Sequence, residues 1–211
     1  MPHPLRHAGL TLVRHDGADR VDVSAFIRRK FLNDHGAHLQ HLMPDLFSLR
    51  RPDDTIVAAF GLREAASEQL FMECYLDEPV ECRIARLSGR EVARGRIIEV
   101  GNLAAAPGGA RAMIVALTTH LQAAGIEWVT FTGVLALRHA FRRLGLRPLS
   151  IAAATPDRLS EAERALWGRY FESRPIVMAG YVPHGYRMLM QRRARAWQTA
   201  LAAEQSTAIA S

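Results

Sequence analysis

The chain has 211 residues, 49% hydrophobic and 23% charged, enough for one sizeable core and too evenly mixed for a disordered or fibrous protein. Its apolar runs fall far short of the roughly 20 residues of a spanning helix. Met1-Pro2-His3-Pro4 opens no signal segment and Cys74 and Cys82 lack a C-x-x-C spacing, so the expectation is a soluble, cytoplasmic, reduced protein without disulfides or a zinc knuckle. The net charge of +6 is carried almost wholly by Arg and gathers in Arg138–Arg143 and Arg187–Arg195, with no nucleic-acid motif beside it, which makes nucleic acid an unlikely partner.

In chain order, Gly9–His15 alternates as a first strand. A helix follows, capped by Asp22 or Ser24, with Phe26, Ile27, Phe31 and Leu32 on one face and an end near Gly36. His35, His38 and His41 recur every third residue, but no carboxylate or thiol is patterned with them and no metal site is read here. Pro44–Arg50 and Thr55–Arg63 flank Arg51-Pro52-Asp53-Asp54 and form a hairpin. Gln69–Leu76 reads as another strand and Val80, Ile84 and Leu87 mark a short helix; Glu73 and Glu81 read as solvated or ion-paired carboxylates rather than catalytic ones, although an unpaired charge at Glu73 in so apolar a strand would be costly.

Arg96–Leu103 is a β-branched strand holding Glu99 and Asn102. Pro107, Gly108 and Gly109 then make a turn, and Met113, Ile114, Leu117 and Leu121 an amphipathic helix that stops at Gly125. A glycine turn at a helix N-terminus presents free N–H groups and the positive end of the dipole to an anion, although a plain strand–helix corner looks the same. Ile126–Thr132 is a further strand, Leu135–Leu144 a helix closed by Gly145, and Leu146–Leu149 an extended segment. Ser160–Phe171 reads as a helix capped by Ser160, Pro175–Gly180 as extended, and Gly185–Glu204 as a basic amphipathic helix with a frayed tail from Gln205. The fold class is α/β (α+β). Residues 1–182 make one domain, and 183–211 an appended helix docked on it or on a second subunit, with peripheral membrane contact as the alternative.

This order of elements resembles the GNAT superfamily of acyl-CoA-dependent acyltransferases, which implies a mixed, mostly antiparallel sheet flanked by helices. Gly108 and Ala110 fit its pyrophosphate turn, with Ala105 where that turn has Gln or Arg. Phe141-Arg142-Arg143-Leu144-Gly145-Leu146 fits its aromatic-x3-Gly-aromatic frame only in part, and Phe141 stands where many members have a thiol-protonating Tyr. More specifically, Glu73–Glu81, Ile98–Ala104, Ala136–Leu146 and Val177–Gly180 resemble the thermostable haemolysin family, which is similar to the acyl-homoserine-lactone (autoinducer) synthases, over about Phe26 to Gly180. In those synthases the strand carries a Glu, the proposed base, and an Arg three residues on; here these are Glu99 and Asn102.

The resemblance implies acyl transfer from acyl-CoA or an acyl carrier protein to the amine of a small molecule, without a metal. Glu99, with Asn102, is the catalytic candidate, its pKa raised by Ile97, Ile98 and Val100. A backbone N–H near Leu103 or Ala104 would polarise the thioester carbonyl, and Gly108, Gly109, Ala110 and Arg111, with Phe141 and Arg142 on the later helix, would bind the donor. A homodimer is compatible with this reading. The competing readings are a membrane-active, haemolysin-like protein and a catalytically silent ligand-binding fold.

Overall fold

The computed structural model describes residues 6–7 and 9–209. Eight strands form one mixed sheet among the described residues, in the order β1-β2-β3-β4-β5-β6-β8-β7. They are β1 (Arg6–His7), β2 (Leu10–His15), β3 (Asp45–Arg50), β4 (Ile56–Glu64), β5 (Ile97–Ala105), β6 (Trp128–Gly133), β7 (Leu149–Ala153) and β8 (Ile176–Tyr181). Every neighbouring pair is antiparallel except β5 and β6. The helices are α1 (Arg20–His35), α2 (Val80–Ser88), α3 (Gly109–Ala123), α4 (Leu135–Arg143), α5 (Glu161–Leu166) and α6 (Val182–Ile209).

Strand alternation sorts the core onto the two faces of the sheet. Ile98, Val100 and Leu103 of β5, with Phe131 and Met178, turn toward α3. Ile97, Trp128 and Ala179 turn the other way, toward α2 and the segments around Leu70 and Leu159, and Ala59 and Ala104 pack under α1. Thus α3, α4 and the first turns of α6 cover one face, joined through Ile114, Leu144 and Leu189.

Several expectations are corrected. Gln69–Leu76 is not a strand: Phe71–Tyr75 is a 3-10 turn, held because Glu73 accepts the Leu70 and Val80 N–H groups and pairs with Arg94, which also pairs with Glu81. The helix expected from Asp22 or Ser24 begins at Arg20, and Asp22 instead pairs with Arg50 on β3. The Ser160–Phe171 helix keeps its Ser160 cap but stops at Leu166. Gly168 lies at φ +50°, where an added Cβ would meet the His35 carbonyl oxygen at 2.5 Å, so the end of α1 docks where another turn of helix would run. The extended segment after Gly145 starts at Leu149, and α6 starts at Val182 and continues through Ile209 where fraying was expected; Ala210 and Ser211 lie outside the described residues. Cys82 is exposed, whereas Cys74 is half-buried with its thiol pushed up to about 11 by burial. His35 packs edge-on against Phe31 and Tyr170.

A candidate acyl-transfer site at the parted strands

β5 and β6 pair in parallel over only four registers, from Ile97–Trp128 to Val100–Phe131. Beyond Val100, β5 runs on to Ala105 against β4 while β6 runs on to Gly133 against β8, so the two strands part. Between the Gly101–Gly61 and Ala104–Ala59 registers β5 holds one residue more than β4, a bulge centred on Asn102 at φ +52°. The Asn102 Oδ1 accepts the Met43 N–H at 2.7 Å, which ties the bulge to the loop before β3. The Ala106 N–H donates to the Val57 carbonyl on β4. Strand alternation from there turns the backbone of Ala104 toward β4 and that of Leu103 and Ala105 toward the gap.

The turn after β5 uses its glycines for two reasons. Gly108 sits at φ +81° as the N-cap of α3. At Gly109 a Cβ would meet the Val57 carbonyl oxygen at 2.3 Å, so only glycine lets α3 start this close to β4. The first-turn N–H groups of Ala110 and Arg111 have no partner four residues back in the helix and face outward with the exposed Arg111 side chain.

An apolar channel of about 70 Å³ enters the molecule beside the gap, lined by Val100, Leu103, Leu117, Phe131 and Phe141 among others. Phe131 and Phe141 stack at 4.9 Å between centroids. At Phe141 and Leu146 the channel meets a depression of about 550 Å³ walled by Arg138, Arg142 and Arg147, within the size range of ligand pockets.

The expected site residues therefore separate. Leu103, Phe141 and Arg142 line the channel or the depression it meets, and the Gly108–Arg111 turn leads from the end of β5 into α3, which covers that face of the sheet. Ala104 is buried under α1, and Asn102 spends its side chain on Met43. Glu99 points to the face opposite α3 and is 3% exposed, its two oxygens accepting the Phe71 and Met72 N–H groups at 2.8 and 2.9 Å. Burial raises its pKa, against the pull of those two N–H groups and of Arg63 4.0 Å away. The burial comes from the 3-10 turn laid over it; Ile98 and Val100, expected to do this, lie on the other face. The sequence offered no sign of this turn as a lid, because Leu70, Phe71 and Met72 read equally well as strand.

A second arrangement was not anticipated. His15 Nε2 lies 2.7 Å from Ser48 Oγ, which also accepts from Arg50 Nε at 2.9 Å, while His15 Nδ1 meets the Asp19 carbonyl at 3.0 Å. Ser48 is 0% exposed, so this nucleophile-and-base geometry is a sealed polar clasp between β2, β3 and the start of α1.

The family model for thermostable hemolysin matches residues 13–186. The chain belongs to the thermostable hemolysin family. Among curated proteins none matches the sequence. Solved structures share its fold: FeeM, an N-acyl amino acid synthase from uncultured soil microbes, is 15% identical with a TM-score of 0.57 over 83% of this chain and 92% of its own. BjaI, a CoA-dependent acyl-homoserine lactone synthase with SAM and isopentyl-CoA, is 12% identical with a TM-score of 0.53 over 87% and 89%. MesI, also a CoA-dependent acyl-homoserine lactone synthase, is 14% identical with a TM-score of 0.52 over 87% and 94%. This thermostable hemolysin family member thus has the GNAT-like sheet of those synthases, and no helix among its described residues is long and apolar enough to cross a membrane.

Proposed function

We propose that this protein is an N-acyltransferase that moves an acyl group from acyl-CoA, or from an acyl carrier protein, to the amine of a small molecule. The observation that carries the reading is the parting of β5 and β6 beside a glycine turn, with an apolar channel at the same place. A thioester donor needs those three things: N–H groups for its phosphate, an unpaired strand edge for its amide-bearing arm, and an apolar recess for its acyl chain. The names of FeeM, MesI and BjaI support acyl transfer to an amine-bearing substrate.

In this reading the phosphate lies on the N–H groups of Gly108, Ala110 and Arg111, and the acyl chain enters between Leu103, Leu117, Phe131 and Phe141. The Leu103 or Ala105 N–H, turned to the gap, stabilises the oxyanion as the amine nitrogen bonds to the thioester carbon. Glu99 takes the proton lost by the amine, its raised pKa suiting it to that work. The C–S bond then breaks; Phe141 has no hydroxyl to offer, so the sulfur takes its proton from solvent. Because Glu99 lies across the sheet from α3, the acceptor approaches from the α1–α2 face, and the Phe71–Tyr75 turn must lift for it to reach the carboxylate. Asn102 serves as a positioning residue for the bulge.

Thermal melts with a panel of acyl-CoAs, free CoA and an acyl carrier protein, followed by thiol-release assays with an amine panel, test the reading. Stabilisation that grows with acyl-chain length, and thiol release that needs an amine, are expected. No stabilisation by any donor would overturn it.

A further inference from the structure

The protein's positive charge is one-sided. From Val100 to Pro156 the only acidic residue is Glu127, and from Ser173 to Ala203 there is none. These stretches supply α3, α4 and most of α6, the three helices that cover one face. With the turn after α4 they hold nine of the chain's 27 basic residues and one of its 21 acidic ones, Glu204. The rest of the chain is slightly acidic, so the net charge of +6 belongs to this face. Among the described residues its arginines make no ion pair: those present lie on Lys30 and on other arginines. The row on α6 runs onto α4, since Arg192 Nη1 would be 3.4 Å from a Cβ placed on Gly145.

The same helix leaves the molecule. Up to Met190 it packs against α3 and α4 through Met188 and Leu189, but every side chain from Gln191 to Thr199 is exposed. A helix with no packing partner is marginal in water. This one carries Trp197, 68% exposed, among Arg192, Arg193 and Arg195. Two such helices side by side would set these arginines against each other with no carboxylate before Glu204 to relieve them, which disfavours a second copy as the cover. An indole amid guanidinium groups, on a helix with no carboxylate before Glu204, suits a surface that is anionic outside and apolar just beneath.

We propose that the α3–α4–α6 face docks on an anionic lipid bilayer, with the Gln191–Thr199 segment of α6 lying in the interface and Trp197 entering it. This inference stands apart from the acyl-transfer reading, and its test uses no acyl donor.

Flotation of the full chain with vesicles of phosphatidylcholine alone, or of phosphatidylcholine mixed with phosphatidylglycerol, measures it. Binding is expected to the anionic vesicles only, and to vanish near 1 M salt, where the screening length is about 3 Å. One basic residue at such a surface is worth roughly fivefold in partition, so Arg192→Gln, Arg193→Gln and Arg195→Gln together should weaken binding about a hundredfold. Trp197→Phe should remove the blue shift of tryptophan emission on binding, with Trp128 and Trp167 unmoved. Circular dichroism and an unchanged melting temperature confirm that the variants are folded. Equal binding to neutral vesicles, no binding to anionic ones, or a triple variant that binds like the parent would each overturn the proposal. So would sedimentation that shows dimers joined through this segment, or binding to an acidic protein or nucleic acid, when vesicle binding is absent.

Discussion

Glu73→Gln tests the clasp that holds the turn over Glu99. The Glu73 carboxylate accepts the Leu70 N–H at 2.9 Å, the Val80 N–H at 3.0 Å and two Arg94 nitrogens at 2.7 and 2.9 Å, with its side chain only 8% exposed. The Arg94 hydrogen bonds, foremost, hold its pKa down to about 2 from 4.5. A carboxylate whose folded pKa is depressed binds fewer protons folded than unfolded between those values, so it contributes stability that is full above pH 4.5 and is lost as pH falls toward 2. The gap corresponds to about 3 kcal/mol. Urea unfolding at pH 7 should therefore place Glu73→Gln about 2–3 kcal/mol below the parent, since Arg94 keeps Glu81 as a partner. The difference should shrink as both proteins are titrated from pH 5 toward 2. Hydrogen exchange of the Phe71 and Met72 amides should also quicken in the variant, because Glu73 anchors the turn that carries them. A difference below about 1 kcal/mol at pH 7, or one that stays constant down to acid pH, would refute this account.

Glu99→Gln should lower amine-dependent thiol release by about 10²–10⁴-fold while donor-induced stabilisation persists; equal loss of both would mark a purely structural role. Gly109→Ala forces a Cβ onto the Val57 carbonyl oxygen at 2.3 Å and should cost about 1–3 kcal/mol in urea unfolding and abolish donor stabilisation. Leu103→Trp should fill the narrow channel, so that long-chain acyl-CoAs stabilise the protein no more than free CoA does. Ser48→Ala leaves Arg50 Nε and the His15 ring nitrogen without their shared partner and should destabilise by about 1–3 kcal/mol, while a fluorophosphonate probe should leave the parent's buried Ser48 unlabelled.

The strand, glycine turn and helix from Arg96 to Gly125 were readable because each depends on neighbours in sequence: β-branched residues, Pro107 and two glycines, then apolar spacing. The hairpin around Pro52-Asp53 was readable for the same reason. What escaped depends on partners far along the chain. Phe71–Tyr75 is a 3-10 turn because Arg94 and Val80 reach Glu73, and Ser160–Phe171 breaks because His35 and Gly36 press on Gly168. Glu99 could be picked out as an odd charge in an apolar strand. That its carboxylate lies under backbone N–H groups 28 and 27 residues upstream could not. The Asn102 bulge, visible in φ and in the register opposite Phe60, has no residue signature beyond an Asn that tolerates the left-handed region.

The brevity of the β5–β6 ladder has a mechanical meaning. β1 to β5 on one side and β6 to β8 on the other hold together by long antiparallel pairings, and within the sheet they meet only over the four registers from Ile97 to Val100. A twist about that ladder would carry the ends beyond it, β5 with β4 and β6 with β8, as levers. From Val100 to Ala105 the strand reaches about 16 Å, so a change of about 10° in the twist between the halves moves the tip by roughly 3 Å. A chain lying in the gap would thus feel, several-fold enlarged, any packing change at Ile98, a side chain outside the channel's lining.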